Sequence, residues 1–252
     1  MMAAWERSVL TPVEVLVRRI EALAAPAPDE IEPLRTLALR VRTVDARAEL
    51  AIADGRAATP LLVGSGWGAR QRILADGRRQ ILSFVLPGDL IGFDLHRDPL
   101  HYAATVSLTA MIVADASPLR TIGLADQTET RDAPIARALR TLATAEEALL
   151  HHHVTRLGRQ TAYERVGHLF LELHERLCTA GIEQGDSFTL PVTQEILADI
   201  LGLSIVHTNR TIQQLRRDGH VRISGTRVTL ADPDSLVGLT DYVPLRRLLG
   251  RP

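Results

Sequence analysis

The clearest periodicity in this chain lies between Thr193 and Leu230, where two short helical patterns precede two stretches of alternating residues. Apolar residues at helical spacing predict a first helix from about Thr193 to Leu201, and Gly202 follows where a helix end takes a positive φ. Ser204 is a typical N-cap for a second helix running to about Arg217. HVRISGTRVTL then predicts two strands around residues 224–226. Together these elements predict a winged helix-turn-helix.

The second helix of this motif has two distinct faces. Thr208, Thr211, Ile212 and Leu215 share one side, and we expect them to pack on the first helix. The opposite stripe carries side chains suited to DNA bases: Arg pairs with guanine O6 and N7, Asn or Gln pairs with adenine N6 and N7, and an aliphatic side chain contacts a thymine methyl. The predicted base-contacting residues are Ile205, Val206, Asn209, Arg210 and Gln213.

Charge supports DNA binding only locally. The net charge is −1, and all 29 basic residues are arginines. Between Thr193 and Leu230, however, five arginines stand against three acidic residues, an excess that suits phosphate contacts if the arginines share a face. The predicted phosphate-contacting residues are Thr193, Ser204, Arg216, Arg217, Arg222 and Arg227.

The first half of the chain has a different pattern. Pro12–Ala24 predicts an amphipathic helix, and a second short helix is expected from Glu30 to about Arg42. From Val44 to Leu124, short apolar runs alternate with Gly, Pro and Asp. The segments ADGRR and LPGDL within this region predict tight turns. Such spacing is typical of an antiparallel sandwich or barrel-like roll.

A long helical pattern follows the predicted roll. Ile135, Leu139, Leu142, Glu146, Leu149, His153 and Leu157 are spaced by three and four residues, which predicts a helix with a heptad-like seam. We expect this seam to pair with a second copy of the chain, and the alternative is a helix packed within its own chain. The predicted dimer-interface residues are Ile135, Leu139, Leu142, Leu149 and His153. Another amphipathic helix should follow and end at Gly181.

Catalytic and metal-binding motifs are sparse. The single cysteine, Cys178, excludes an internal disulfide and is expected to be a small buried apolar residue. His151, His152 and His153 are consecutive, so a regular helix directs them about 100° apart, and they cannot chelate one ion together. We expect them to lie on the helix surface and seam and to titrate near neutral pH. No metal site is predicted.

Hydrolase and nucleotide-binding signatures are also missing: the chain has no GxSxG, P-loop or HExxH motif, so an enzyme is not predicted. A metal enzyme of the cupin type remains an alternative, because His96, His101, Asp94 and Asp98 cluster in the roll segment. That alternative lacks an HxH pattern and a later partner histidine. The chain also shows no signal peptide and no apolar run long enough to span a membrane, so we expect a cytoplasmic protein without a membrane partner.

The order of these parts resembles the Crp/Fnr family of bacterial transcription regulators over nearly the whole chain. Three segments carry the resemblance: GRRQILSFVLPGDLIG, LGRQTAYERVGHLFLELHERL and LPVTQEILADILGLSIVHTNRTIQQLRRDG. It implies an α+β fold with an N-terminal antiparallel β-roll similar to cyclic-nucleotide-binding domains (residues 1–130), a long central dimerisation helix (131–157) and a C-terminal winged helix-turn-helix domain (158–252). It also implies a homodimer that binds a palindromic operator in double-stranded DNA and acts with RNA polymerase.

This sequence departs from the family pattern where members bind cyclic AMP. The family's Gly-Glu element corresponds to Gly92 and Phe93, and its Arg-Ser pair falls near Tyr102 and Ala103. A cyclic phosphate loses its guanidinium partner there, and nearby Arg97 lies in a turn. These five residues are the candidate effector pocket, which we expect not to bind cyclic nucleotides.

Few other effectors fit the residues of the roll. A single cysteine excludes a cysteine-ligated iron–sulfur cluster, and no cofactor is predicted. Haem or another small ligand remains an alternative, with His96 or His101 as axial ligand, and so does a regulator without an effector. In the DNA-reading helix Arg210 matches the family's arginine, whereas Val206 occupies the position of its glutamate. Because an acceptor for cytosine N4 is lost, we expect a half-site different from the usual one.

Overall fold

The computed structural model describes residues 10–51, 59–93, 102–122 and 134–250. Two helices, α1 (Pro12–Ala24) and α2 (Pro28–Arg35), precede an all-antiparallel roll of two four-stranded sheets. The first sheet has the order β1-β8-β3-β6 and the second β2-β7-β4-β5. The strands are β1 (Val41–Val44), β2 (Glu49–Ala51), β3 (Leu61–Ser65), β4 (Gly68–Ile73), β5 (Arg79–Val85), β6 (Leu90–Ile91), β7 (Ala104–Ser107) and β8 (Met111–Asp115).

The roll is followed by helices and a small sheet. These elements are α3 (Pro134–Arg159), α4 (Ala162–Thr179), β9 (Ser187–Thr189), α5 (Gln194–Leu201), α6 (Ile205–Arg217), β10 (Val221–Ser224), β11 (Arg227–Leu230), α7 (Pro233–Thr240) and α8 (Leu245–Leu248). The antiparallel sheet has the order β10-β11-β9. The architecture is therefore the α+β fold that the sequence predicts. No described helix is both long and apolar enough to cross a bilayer.

Local signals explain where α1 begins and where the roll turns. Thr11 caps α1 through a reciprocal capping box with Glu14. The predicted β4–β5 hairpin is present, and Gly77 takes a φ of +84° at its turn. The predicted LPGD turn is also present, with Gly88 at a φ of +86° and the Asp89 carboxylate accepting a hydrogen bond from the Leu86 amide at 2.7 Å.

The second helix is shorter than predicted. It ends at Arg35, whereas the sequence pattern suggested about Arg42. Residues 41–44 instead form β1, in which Val41 pairs with Ala114 and Val44 with Met111 of β8. The sheet partner lies about seventy residues away in the chain, so the local pattern could not show that this segment completes a sheet.

The apolar stripe of the central helix α3 is covered by its own chain. Ile135, Leu139, Leu142 and Leu149 are buried in one cluster with residues of α1, α2 and α8. His153 is buried as well. The assignment of these five residues to a dimer interface is therefore wrong for this face of α3. The 3–4 spacing identified residues that share a face, and the chain's own terminal helices cover that face.

The C-terminal domain is tied closely to the central helix. The Arg165 guanidinium donates to the carbonyls of Leu157 and Gln160 at the end of α3 and to the carbonyl of Leu201 at the end of α5. Gly167 allows α4 and α7 to approach, because a Cβ there would lie 2.8 Å from a methyl carbon of Leu236. These contacts fix the helix-turn-helix relative to α3.

Candidate nucleic-acid interface

Side-chain caps mark the start of both helices of the helix-turn-helix, and the sequence predicts the one at Ser204. Thr193 Oγ1 accepts a hydrogen bond from the Ile196 amide at 3.3 Å, and Ser204 Oγ accepts one from the His207 amide at 3.2 Å. Gly202 ends α5 with a φ of +63°. The predicted hairpin after α6 is present as β10 and β11, with Ser224 paired to Arg227. Together α5, α6 and this hairpin form the winged helix-turn-helix.

The two faces of α6 separate as the sequence predicts. Thr208, Thr211, Ile212 and Leu215 are buried against the rest of the domain. All five predicted base-contacting residues are exposed, and Val206 is 71% exposed. The exposed face thus presents Ile205, Val206, Asn209, Arg210 and Gln213 side by side to solvent.

The predicted phosphate-contacting arginines differ in how freely they can bind an anion. Arg216 donates to Gln213 Oε1 at 3.1 Å, and Arg217 donates to Gln214, so both stay on the polar side of α6. Arg222 is exposed on β10. Arg227 already pairs with the nearly buried Glu183 carboxylate at 2.8 Å, and its charge is therefore less available than that of Arg222.

The structure adds a second element beside the recognition helix. Thr161 and Tyr163, at the start of α4, line an open pocket of about 430 Å³ together with His207 and Arg210 of α6. The Tyr163 hydroxyl donates to Asp218 at 2.7 Å, and burial together with this carboxylate raises the pKa of Tyr163 to about 12. The sequence predicts this helix, and the Thr161–Glu164 capping box marks its start, but nothing in the sequence indicates that the start lies beside the recognition helix. Some fifty residues separate it from Arg210, so only the fold brings the two together.

Known proteins resemble this chain in the helix-turn-helix and in the overall fold. A family model for the Crp-like helix-turn-helix domain matches residues 164–239. The nitrogen fixation regulation protein FixK of Azorhizobium caulinodans is 34% identical over 166 residues, which is 66% of this chain and 64% of FixK. The solved structure of FixK2 from Bradyrhizobium japonicum superposes with a TM-score of 0.68 and 28% identity, covering 81% of this chain and 98% of that one. The chain therefore contains a Crp-like helix-turn-helix domain, and over most of its length it is similar to regulators of the Crp/Fnr family.

Two further comparisons limit what this similarity covers. FixK of Bradyrhizobium diazoefficiens is also 34% identical, over 64% of this chain and 65% of that protein, so the chain spans just under two thirds of these two curated relatives. A Crp/Fnr family regulator from Thermus thermophilus, TTHA1359, has a TM-score of 0.55 at 17% identity, covering 80% of this chain and 98% of that one, which supports the fold alone.

The structure describes only some of the candidate effector residues. Gly92 has a φ of +62°, and Phe93 packs against the apolar cluster beneath α1 and α3. Tyr102 is 58% exposed and its ring lies under the Arg72 guanidinium, 4.3 Å from the ring centroid. Tyr102 is therefore a surface residue rather than part of an enclosed pocket. Arg97, together with Asp94, His96, Asp98 and His101, lies outside the described residues.

A buried ionic cluster joins the roll to the DNA-binding domain. The Asp89 carboxylate accepts hydrogen bonds from Arg19 of α1 and from Arg176 of α4, the latter at 2.6 Å. Burial acts to raise its pKa, but these two guanidinium groups outweigh burial and hold the pKa of Asp89 below its usual value. Glu172 on α4 similarly accepts from Arg156 of α3 at 2.8 Å. This cluster was not visible in the sequence, because its members come from four separate segments.

The burial of two of the three consecutive histidines does not agree with the expectation that they titrate near neutral pH. His151 is exposed, whereas His152 and His153 are buried. Burial lowers the pKa of His153 to about 4, and burial likewise lowers the pKa of His168, on α4, to about 3. Cys178 is half-buried, less covered than predicted, and burial raises the pKa of its thiol. His153 and His168 therefore do not titrate near neutral pH, and burial lowers the pKa of His152 as well.

Proposed function

We propose that this chain is a sequence-specific DNA-binding transcription regulator. The observation that carries the proposal is the division of α6 into a buried face and an exposed stripe containing Asn209, Arg210 and Gln213. A helix in this position of a helix-turn-helix enters the major groove, where such side chains distinguish base pairs. We infer that it acts in the cytoplasm and with RNA polymerase, as the family resemblance implies, and that it does so by binding rather than catalysis.

The side chains divide by role. Arg210 takes guanine O6 and N7, Asn209 and Gln213 take adenine, and Val206 or Ile205 contacts a thymine methyl. Among the phosphate candidates, Arg222 is exposed on β10, outside the recognition helix, whereas Arg227 is paired with Glu183. Phosphate contacts also come from Thr193, Ser204, Arg216 and Arg217. The start of α4, with Thr161 and Tyr163, lies beside Arg210 and is a further candidate for a phosphate contact, because helix starts favour anions.

We infer that two copies pair through the outer face of α3. Arg140, Ala143, Glu147, Leu150 and Val154 follow one another at spacings of three and four residues, and all are exposed. Leu150 is 51% and Val154 68% exposed, whereas Ile135, Leu139, Leu142 and Leu149 on the inner face are buried in their own chain. A second copy of the same helix would cover this stripe in coiled-coil fashion. A twofold dimer then presents two α6 helices about one DNA turn apart.

The roll is proposed as the effector-sensing part, for a ligand other than a cyclic nucleotide. The positions of the family's phosphate-binding Glu, Arg and Ser hold Phe93, Tyr102 and Ala103, none of which carries a cation. Phe93 packs inward and Tyr102 stacks under Arg72 at the surface. Neither residue replaces the lost guanidinium contact to a cyclic phosphate.

The test is selection of binding sites from random duplexes, followed by footprinting of the enriched sequence. We expect a palindromic site with half-sites roughly 10 base pairs apart, centre to centre, and one dimer per site in sedimentation analysis. Enrichment of no sequence would refute specific recognition. Protection of one half-site per bound chain would refute the dimer and leave DNA recognition standing.

A further inference from the structure

Three buried side chains converge where α3 meets α4, away from the exposed face of α6. His152 comes from α3, and His168 and Glu172 come from α4. One nitrogen of each imidazole and one carboxylate oxygen of Glu172 lie within 4.8 Å of one another. His152 is 9% and His168 3% exposed, and their ring centroids are 5.0 Å apart.

Two nitrogens of this cluster lack a hydrogen-bond partner. Nδ1 of His152 and Nε2 of His168 are buried without one among the described residues. A buried polar atom without a hydrogen-bond partner costs about 1–3 kcal/mol. Two such nitrogens next to each other therefore point to a ligand that supplies the missing interaction. Both histidines also line an open pocket of about 480 Å³ between α3 and the C-terminal segment. That pocket gives an ion access from solvent.

We propose that His152, His168 and Glu172 bind a transition-metal ion of the zinc class, Zn²⁺, Co²⁺ or Ni²⁺, with a remaining coordination position open to the pocket. Two imidazoles and one carboxylate are a common donor set for such ions, whereas Mg²⁺ and Ca²⁺ take oxygen ligands. Ligand atoms around a tetrahedral ion with bonds of about 2.0–2.1 Å stand roughly 3.4 Å apart. Binding therefore draws α3 and α4 side chains closer together at this point.

The neighbouring arginines determine what kind of site this is. Arg156 Nη1 donates to Glu172 Oε2 at 2.8 Å, whereas Arg176 Nη1 lies 3.6 Å from Oε1, beyond hydrogen-bonding distance. Oε1 is thus the oxygen available to an ion. Two guanidinium groups close by weaken the attraction for a cation and favour an anionic ligand, such as hydroxide, at the open position. We therefore infer an exchangeable site rather than a permanently filled structural one.

Gln160 is the positioning residue for His168. Its Nε2 lies 3.0 Å from His168 Nδ1 and donates to the Thr240 carbonyl at 2.7 Å, while its own Oε1 is buried without a partner among the described residues. A neutral imidazole that binds metal through Nε2 carries its proton on Nδ1. The Thr240 carbonyl at the end of α7 can accept that proton, and so can Oε1 of Gln160 after half a turn of its amide.

The test uses the full chain, stripped with EDTA and desalted, then titrated with Zn²⁺, Co²⁺ and Mg²⁺. We expect one Zn²⁺ or Co²⁺ per chain, a melting temperature that rises with Zn²⁺ concentration, and no effect of Mg²⁺. His152→Gln and His168→Gln should each weaken Zn²⁺ binding at least about tenfold. His151→Gln should bind as the wild type does, because His151 is an exposed neighbour on the same helix and lines the same pocket.

A competing surface pair provides the second control. Cys178 Sγ lies 3.5 Å from His174 Nε2, and this pair could also attract zinc. X-ray absorption of the wild-type Zn²⁺ complex should show imidazole and oxygen ligands without sulfur, a result that does not depend on whether variants fold. Failure of the wild type to bind Zn²⁺ or Co²⁺ would overturn the proposal. Sulfur in the coordination sphere, loss of binding in His174→Gln, or unchanged binding in both His152→Gln and His168→Gln would overturn it as well.

Discussion

Replacing Asp89 by Asn should destabilise the protein strongly, although the two side chains have nearly the same shape. Asp89 is buried in the turn between β5 and β6, where its carboxylate accepts charge-assisted hydrogen bonds from Arg19 and Arg176. Asn keeps an oxygen for the Leu86 amide but removes the negative charge between two buried guanidinium groups. Its NH₂ group must also face one of these donors.

The expected magnitude follows from these contacts. Two charge-assisted hydrogen bonds at about 1.5–3 kcal/mol each amount to roughly 3–6 kcal/mol. This agrees with the loss of about 3–5 kcal/mol seen when one partner of a buried ion pair is removed. Since a typical domain has only about 5–15 kcal/mol of stability, the Asp89→Asn protein should unfold at a much lower urea concentration.

Urea denaturation followed by far-UV circular dichroism and by fluorescence measures this change. Asp76→Asn is the control, because Asp76 pairs with Arg78 in an exposed turn and its loss should leave the midpoint unchanged. Arg176→Met in the Asp89→Asn background should restore part of the stability, since it removes one uncompensated buried charge. A change below about 1 kcal/mol in Asp89→Asn would refute the assignment of this cluster as an interdomain tie.

The pH dependence checks that the charge of Asp89 is responsible. Because the folded pKa of Asp89 lies below its unfolded value of about 3.9, its contribution is fully present above that pH. The contribution is lost as the pH falls through the folded pKa. The difference in unfolding free energy between wild type and Asp89→Asn should therefore shrink in acid. A difference that persists unchanged at pH 2 would show that shape, not charge, matters here.

The remaining predictions concern the dimer, DNA and the roll. Leu150→Glu should give a folded monomer in sedimentation analysis, whereas Leu142→Ala should stay dimeric and lose about 2–5 kcal/mol of stability; a dimeric Leu150→Glu protein would refute the proposed interface. Arg210→Ala should cost about 1–3 kcal/mol on the operator in mobility-shift titrations and weaken discrimination at one base pair. Arg222→Ala should weaken all sequences about equally and reduce the salt slope by about one unit; loss of specificity there would reverse the two roles. Millimolar cyclic AMP or cyclic GMP should leave the melting temperature and operator affinity unchanged, and a shift abolished by Arg97→Ala would show that Arg97 binds the phosphate.

The sequence by itself determined the helix-turn-helix, because every signal there is local. The Thr193 and Ser204 caps, the left-handed Gly202 and the 3–4 spacing of α6 all act within a few residues. Such short-range preferences agree with one another, and the structure places the buried and exposed faces of α6 where they predict. The turns of the roll at Gly77 and Gly88 could be predicted from the sequence for the same reason.

Only the tertiary structure decided what covers each face. Periodicity showed that Leu139, Leu142 and Leu149 share one side of α3, but not that α1, α2 and α8 bury that side and leave Leu150 and Val154 outside. A helical pattern reports which residues lie together and carries no information about the surface they meet. The same holds for the ionic cluster around Asp89 and for the cluster of His152, His168 and Glu172. Their members are separated by many residues in the chain, and only the packing of distant segments brings them into contact and buries them.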